Sequence, residues 1–340
     1  MLDLIFKQWS LSLFQFLPYS VAAFQRFLFQ PLGINRISCN FAVNLNKAMH
    51  RSFYFYLVFF SLLYSCTPRT EKQRIITVTI EPLRYFTEQI VDSFLQVNTL
   101  VPPGTSPETY DPTPGQMVEL SRSEVYMKIG YIGFEQVWMD KIAANNPQLQ
   151  IIDTSRGIDL IASEEECEAG EHDGHHHHHG PVDPHTWSSP KQAITIIRNI
   201  YEAAIKLYPE HHDEFTRNYL SLKKEVEETD SLMTQLLSSV EPGAFIIYHP
   251  ALTYLAKDYG LTQYCIEFEG KEPSPDLLQQ LVNTAREQNI KIIFVQQEFD
   301  RKNAEIIAKE TGCKLVTINP LSYHWKEEII HIAKALSGNQ

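Results

Sequence analysis

Imidazole nitrogens and carboxylate oxygens are common side-chain ligands of metal ions in proteins, and this chain concentrates them in a few short segments. The densest segment, residues 171–187, reads EHDGHHHHHGPVDPHTW. Its first part belongs to an acidic, glycine-containing stretch at 164–180, a composition that predicts a mobile loop able to capture metal ions loosely. The histidines of this loop are His172, His175, His176, His177, His178 and His179.

The last histidine of the same segment, His185, has different surroundings. Pro184 restricts its own backbone and that of Asp183, and Trp187 is placed to pack beneath the turn. An imidazole that is held in one direction is suited to bind a metal ion. We therefore expect His185 to be a metal ligand and the loop before it to act as an auxiliary capture segment.

Two further candidate ligands follow predicted strands. Glu108 lies in the loop TSPETYDPTP, residues 105–114, after the strand 97–101, and His249 directly follows the strand 244–248. In open α/β sheets, ligands bind at the carboxyl ends of the strands. Taken singly, a histidine before a proline and a loop carboxylate are also ordinary structural residues, so their assignment depends on the fold.

The order of the predicted elements indicates an α/β protein with two similar lobes. In each half of the chain, short apolar runs alternate with amphipathic helical segments, which is the pattern of a mostly parallel sheet covered by helices. We place the N-terminal lobe at residues 75–187 and the C-terminal lobe at 241–340. The predicted strands are 75–80, 97–101, 125–129, 150–153, 244–248, 261–268, 291–296 and 314–318.

Residues 188–240 form a predicted helical linker between these lobes. Residues 190–207 carry an apolar face with helical period, and Pro209 begins a longer helix that runs to Leu237 without glycine or proline. At 1.5 Å per residue this helix is ~43 Å long, which is enough to bridge two lobes. The predicted fold is therefore two lobes with mostly parallel sheets, joined by a single long helix.

Residues 1–65 are predicted to be a leader. Residues 1–46 show no readable fold. A basic patch at Lys47, His50 and Arg51 is then followed by the apolar run 53–64 and by Leu-Tyr-Ser-Cys at 63–66, the pattern of a lipoprotein signal peptide, so we expect translation to start at Met49. Cleavage before Cys66 would leave that residue carrying lipid, with 66–74 as a tether. The alternative is an N-terminal membrane anchor that stays attached. Either arrangement places the body in the cell envelope, on the extracytoplasmic, periplasmic side, lipid-anchored or secreted.

The formal net charge of −12 favours cations as partners and argues against nucleic acid. Outside the leader and the predicted lipid site, the chain has three cysteines, Cys167, Cys265 and Cys313. They allow at most one disulfide, and the sequence does not select the pair. A small fold held together by disulfides is excluded.

Four sequences occur in a fixed order around the long helix: TSPETYDPTP, DPHTW, YHPALTYLAKDYGL and INPL. In this order they resemble the extracytoplasmic metal-binding receptors of bacterial ABC importers, the zinc and manganese solute-binding proteins. The resemblance covers the chain from about Ile75 to its end. It implies a monomeric, non-catalytic receptor that holds a metal ion between two lobes and delivers it to a membrane permease with its ATPase.

The resemblance also implies a ligand set. His185 and His249 match metal-ligand histidines of the family, Glu108 stands where histidine is more common, and Asn319 stands where many members have a ligand aspartate. Gln296 likewise replaces an expected glutamate. The resulting site is less anionic than that of the manganese receptors, so we expect Zn²⁺ rather than Mn²⁺. The fourth position is open to Asn319, to water or to a loop histidine, and His324 is a further candidate.

Three other functions fit parts of this pattern. One is a receptor of the same family for manganese or another divalent metal. Another is a zinc-dependent hydrolase, because two histidines and a glutamate with an open position can activate water, although no HExxH helix is present. The last is a surface lipoprotein that stores zinc or mediates adhesion without a permease.

Overall fold

The computed structural model describes residues 74–163, 182–238, 240, 243–267 and 272–338. They contain two four-stranded sheets in which all neighbouring strands are parallel. The first sheet consists of β1 (Ile75–Val78), β2 (Gln96–Thr99), β3 (Val125–Lys128) and β4 (Gln150–Asp153), in the order β2-β1-β3-β4. The second consists of β5 (Ala244–Ile247), β6 (Thr262–Cys265), β7 (Ile292–Gln296) and β8 (Lys314–Ile318), in the order β6-β5-β7-β8. The predicted α/β fold with two similar parallel-sheet lobes is confirmed.

Nine α-helices lie in the described residues. The N-terminal lobe contains α1 (Glu81–Val91), α2 (Pro114–Leu120) and α3 (Gly133–Asn145), and the two helices between the sheets are α4 (Pro190–Leu207) and α5 (His212–Leu237). The C-terminal lobe contains α6 (Thr253–Asp258), α7 (Pro275–Glu287), α8 (Lys302–Thr311) and α9 (Trp325–Ser337). The central strands are buried on both faces because helices cover both sheets. All five residues of β7, for example, are buried.

Local sequence signals explain where several helices begin and end. The Oγ atom of Ser274 accepts a hydrogen bond from the backbone N–H of Leu277 at 3.2 Å, so Ser274 caps α7 as its residue type predicts. Helix α8 ends at Gly312, whose φ of 76° lies in the left-handed region that glycine adopts without strain. Both boundaries could be anticipated from the sequence.

The long helix α5 starts later than the sequence suggested. Residues Pro209–His211 form a separate 3₁₀ turn, and the α-helix itself has 26 residues, about 39 Å in length. It packs against α1 of the N-terminal lobe and α9 of the C-terminal lobe. Its buried residues are Phe215, Leu222, Val226, Thr229, Met233 and Leu237.

Two buried tryptophans connect the lobes in addition to the helices. The indole Nε1 of Trp187 donates a hydrogen bond to the Pro320 carbonyl at 2.9 Å, and that of Trp325 donates to the Trp187 carbonyl at 2.8 Å. The Trp325 ring also packs edge-on against Phe86 of α1, with 5.0 Å between the ring centroids. The chain segments that follow β4 and β8 are therefore fixed to each other.

The predicted leader, Cys66 and the histidine loop at 164–180 lie outside the described residues. Among the described residues, no helix is both long and apolar enough to cross a membrane. Cys265 is disulfide-bonded, whereas Cys313 is a buried free thiol. Of the pairings that the sequence left open, the one between these two cysteines is excluded.

Candidate metal site

Three of the predicted ligands converge between the lobes. Glu108 comes from the loop after β2, His185 from the segment after β4 and His249 from the end of β5. One ligand atom of each lies within 4.8 Å of the other two. Both histidines are buried, with 5% and 8% of their surface exposed. In the part of the chain that the structure describes, this is the one such group of three histidine, cysteine or acidic side chains.

The two imidazoles face each other through their Nε2 atoms, which are 3.3 Å apart. Zinc–nitrogen bonds measure about 2.0–2.1 Å, so two nitrogens on one tetrahedral zinc ion lie ~3.3 Å from each other. The ring planes meet at 74°, so the imidazoles are not stacked and both Nε2 atoms remain directed at the same space. The spacing of the pair fits a shared zinc ion.

Asp183 fixes the orientation of His185. Its Oδ1 atom lies 2.9 Å from His185 Nδ1 and accepts a hydrogen bond from the His185 backbone N–H at 2.6 Å. A carboxylate next to Nδ1 favours the tautomer with the proton on that nitrogen, which leaves the Nε2 lone pair for a metal ion. The ring also packs against Trp187, with 5.2 Å between the centroids. The predicted rigidity of His185 is thus explained by contacts on two sides.

Burial and nearby charge act in opposite directions on His185. Burial would lower the pKa of its imidazole, but the charge and hydrogen bond of Asp183, together with the charges of Glu108 and Glu267, raise that pKa above its ordinary value. Negative charge around the site therefore stabilises the protonated, positively charged form of His185. The same field attracts a metal ion to the cavity.

His249 has an equivalent carboxylate behind it. Its Nδ1 atom lies 2.8 Å from Glu267 Oε2, and the Glu267 backbone N–H donates to the Tyr248 carbonyl at 2.8 Å, which holds the end of β6 beside β5. The ring of Phe299 stacks on the imidazole, with 5.4 Å between the centroids and 21° between the planes. His249 therefore also presents Nε2 to the cavity.

Gln296, which the sequence marked as a replacement for glutamate, supports the backbone of His249. Its Oε1 atom accepts a hydrogen bond from the His249 N–H at 3.3 Å, and its Nε2 donates to the His249 carbonyl at 2.6 Å. An amide can accept and donate at once, whereas an ionised carboxylate only accepts. Gln296 is 1% exposed, and both of its bonds are buried.

Glu108 is held by the N-terminus of α3. Its Oε2 atom accepts a hydrogen bond from the Gly133 N–H at 2.9 Å, and the Phe134 N–H donates to the Pro107 carbonyl at 3.1 Å. Negative charge is stabilised at a helix N-terminus. The other oxygen, Glu108 Oε1, is buried and has no hydrogen-bond partner, so it is left for a ligand.

The three side chains line a cavity of about 20 Å³, roughly the room that one water molecule or metal ion needs. Among the residues that line it, Glu298 is an acidic side chain that the sequence reasoning did not nominate. Burial raises the pKa of this carboxyl above its ordinary value, against opposing effects of its own backbone amide and of His249. The position of Glu298 in the sequence could have identified it, because it lies two residues after β7, at the carboxyl ends of the strands where the other candidates lie.

The structure does not bring Asn319 or His324 into this cavity. The Oδ1 atom of Asn319 accepts a hydrogen bond from the Leu321 N–H at 3.2 Å, so the side chain closes a local turn around Pro320. His324 is exposed where α9 begins. The six loop histidines lie outside the described residues.

The chain is similar to known proteins in sequence and in fold. A family model described as "ZnuA: Zinc-uptake complex component A periplasmic" matches residues 76–332. The high-affinity zinc uptake system protein ZnuA of Bacillus subtilis is 30% identical over 269 residues, covering 78% of this chain and 83% of that protein.

The zinc-binding lipoprotein AdcA of Streptococcus pneumoniae is 27% identical over 262 residues, covering 74% of this chain. The alignment spans about half of AdcA, 51% of its length. A crystal structure of ZnuA superposes with a TM-score of 0.72 and 33% identity, covering 79% of this chain and all of that one.

Proposed function

The chain belongs to the ZnuA family of zinc-uptake complex components, and on this basis we propose that it captures Zn²⁺ between its two lobes and delivers the ion to the permease of an ABC importer. The family consists of binding components, so the chain is a binding protein and not the hydrolase considered above. Its Bacillus subtilis relative is named as part of a high-affinity zinc uptake system.

One observation carries the proposal. His185 and His249, one from each lobe, hold their Nε2 atoms 3.3 Å apart, and each Nδ1 lies beside a buried carboxylate. Glu108 adds an oxygen without a hydrogen-bond partner. Two imidazole nitrogens and a carboxylate oxygen form a ligand set that suits zinc, whereas a manganese site favours more oxygen.

Contacts outside the cavity hold the segments that carry the two histidines in place. Trp187 and Trp325 fix the segments around the cavity, and α5 packs on helices of both lobes. A preorganised site loses little conformational entropy on binding, which favours high affinity. In this proposal Zn²⁺ enters an existing gap between the lobes, and the imidazoles must be neutral to accept it.

We place the protein in the cell envelope, on the extracytoplasmic side, as a monomer that is attached to the membrane through lipid on Cys66. Two observations support the lipid attachment: the sequence Leu-Tyr-Ser-Cys at 63–66, and the naming of the pneumococcal relative as a lipoprotein. The histidines of the loop at 164–180 act in this proposal as weak capture sites that raise the local zinc concentration.

The test is a zinc titration of the purified full chain in which the six loop histidines are replaced by asparagine. Competition with a chelator measures the Kd of the remaining site. We expect one tightly bound Zn²⁺ that Mn²⁺ does not displace, and loss of that binding in His185→Ala and His249→Ala. His331→Ala is the matched control, because this histidine is exposed on α9 and bonds only a backbone carbonyl.

Tight binding that survives both cavity substitutions would contradict the proposal. So would a parent protein that retains no tight site once the loop histidines are replaced. Delivery is tested separately by zinc accumulation in cells that carry the chain with its permease and ATPase. Accumulation that does not depend on His249 would contradict a role in import.

A further inference from the structure

A fourth side chain that could bind a metal ion, the carboxylate of Glu298, lines the cavity, and no contact described so far accounts for its position there. Glu298 follows β7 in a tight turn, in which the Phe299 N–H donates to the Gln296 carbonyl at 3.2 Å. Two residues of this turn support His249: the side-chain amide of Gln296 bonds the His249 backbone, and the ring of Phe299 stacks on its imidazole. The turn that carries Glu298 is therefore fixed against one of the metal-site histidines.

The carboxylate of Glu298 has an oxygen that nothing satisfies. Glu298 Oε2 is buried and has no hydrogen-bond partner, as is also true of Glu108 Oε1, and both residues line the same cavity of about 20 Å³. A buried carboxylate oxygen without a partner is costly, because it has lost water and gained nothing in return. Two such oxygens at one small cavity indicate that something bound there satisfies them.

The described residues that line the cavity include no lysine or arginine that could fill this role. Four carboxylates instead surround the imidazole pair: Glu108 and Glu298 at the cavity, and Asp183 and Glu267 behind the rings. A cation bound between the imidazoles is the species that would satisfy the unpartnered oxygens. Closed tetrahedral zinc sites have four protein ligands, and Glu108, His185 and His249 supply three.

We propose that Glu298 is the fourth ligand of the bound metal ion. The inference rests on the proposed function and deepens it, because it assigns the position left open by the sequence. Glu298 lies outside the group whose ligand atoms are within 4.8 Å of each other. Its side chain therefore turns toward the two Nε2 atoms when the ion enters, while the backbone of the turn stays in place.

Glu298 fits this position better than Asn319. The amide oxygen of Asn319 already accepts the Leu321 N–H, and the residue does not line the cavity. A second carboxylate also has a consequence for specificity. Because carboxylate oxygen suits Mn²⁺ better than imidazole does, loss of Glu298 should weaken Mn²⁺ binding by a larger factor than Zn²⁺ binding.

The test compares Glu298→Ala and Glu298→Gln with two controls in the full chain whose loop histidines are replaced. Gln297→Ala changes the exposed neighbour in the same turn, and Asn319→Ala changes the competing candidate. We expect both Glu298 variants to raise the zinc Kd by about tenfold or more, and each control to change it by less than about threefold. Thermal melting of the metal-free proteins checks that the variants fold.

A crystal structure of the zinc-loaded parent gives an independent reading, with a Glu298 oxygen expected about 2.0–2.2 Å from zinc. Unchanged affinity in Glu298→Gln, or water in the fourth position with the carboxylate pointing away, would overturn the inference. A larger effect of Asn319→Ala would overturn it in favour of the amide. If the parent binds zinc and His249→Ala abolishes binding, these outcomes reject only the assignment of Glu298 as a ligand. If the parent binds no zinc, the proposed function itself is rejected.

Discussion

The Nε2 atoms of His185 and His249 lie 3.3 Å apart, although the two residues are separated by 64 positions and follow strands of different sheets. Each imidazole is buried and backed by its own carboxylate. Two lone pairs held this close between two lobes are arranged to share one ion. The predictions below concern the contacts that maintain this arrangement.

The first prediction concerns the carboxylates behind the imidazoles. Asp183→Asn and Glu267→Gln preserve shape but remove the charge next to each Nδ1, so the rings lose their fixed tautomer and some basicity. We expect each change to weaken zinc binding by about 10–100-fold in a chelator-competition titration.

A matched pair on the surface provides the control for that prediction. Asp213 Oδ1 lies 3.1 Å from His212 Nδ1, and both side chains are exposed. Asp213→Asn should leave the zinc Kd unchanged. If the Asp183 and Glu267 variants bind as tightly as this control, the buried carboxylates have no role in metal affinity.

The second prediction concerns Gly133. A Cβ atom at this position would lie 2.4 Å from the Glu108 carbonyl oxygen and 2.9 Å from Glu108 Oε2, so Gly133→Ala must displace the Glu108 loop. We expect zinc binding to weaken by about tenfold through this displacement. The measurements are the zinc Kd and the melting temperature of the metal-free protein.

Gly115→Ala is the control for crowding. Gly115 lies in α2, and a Cβ there would meet nothing closer than Thr113 Oγ1 at 3.9 Å. This substitution should leave the zinc Kd unchanged and stabilise the helix slightly. Equal zinc affinity in the two alanine variants would show that Glu108 is not held where the structure places it.

The third prediction concerns the connection between the lobes. Trp187→Phe keeps an aromatic ring beside His185 but leaves the buried Pro320 carbonyl without its donor. We expect the free energy of unfolding to fall by about 1–3 kcal/mol. Trp138→Phe removes an indole bond to Asp111 at the exposed surface and should cost less than about 0.5 kcal/mol. Chemical denaturation measures both, and equal losses would contradict the proposed tie between the lobes.

The fourth prediction concerns pH and a buried carboxyl outside the cavity. Glu135 on α3 accepts hydrogen bonds from Thr79 and from the backbone of Ile129 and Gly130, yet burial outweighs them and raises its pKa to about 7. Because the pKa of Glu135 is higher in the folded chain than in the unfolded chain, the folded state is favoured while Glu135 is protonated. This contribution to stability is fully present below the unfolded-state pKa and is lost as pH rises through about 7. Glu135→Gln, which cannot ionise, should therefore lose about 1–3 kcal/mol less stability than the parent between pH 5 and pH 8.

Denaturant unfolding of the metal-free proteins across this pH range measures the difference. Subtracting the two stability curves removes the contribution of the histidines, which both proteins share. Parallel curves would show that Glu135 titrates with the same pKa in the folded and unfolded chain.

Much of this fold is encoded in local sequence. The apolar runs predict the buried parallel strands, Ser274 predicts the start of α7 and Gly312 the end of α8, because each signal acts within a few residues. Placement at strand ends nominated Glu108 and His249, the rigid turn nominated His185, and the resemblance to the metal receptors supported all three. Glu298 also follows a strand, but the sequence analysis considered Gln296 instead. The role of Gln296 in bonding the His249 backbone is visible only in the folded structure.

What the sequence could not supply are contacts between distant residues. Glu267 lies 18 residues after His249, and Gly133 lies 25 residues after Glu108, so only the paired strands and the start of α3 bring them together. Asn319 shows the opposite case, because its side-chain oxygen accepts the Leu321 N–H and closes a local turn around Pro320.

The measurement that tests the central claim most directly is a crystal structure of the protein grown with Zn²⁺, with anomalous scattering recorded at the zinc edge. The expected result is a peak between the lobes, about 2.0–2.2 Å from His185 Nε2, His249 Nε2 and Glu108 Oε1. Zinc bound elsewhere while the two Nε2 atoms carry no ion would contradict the account.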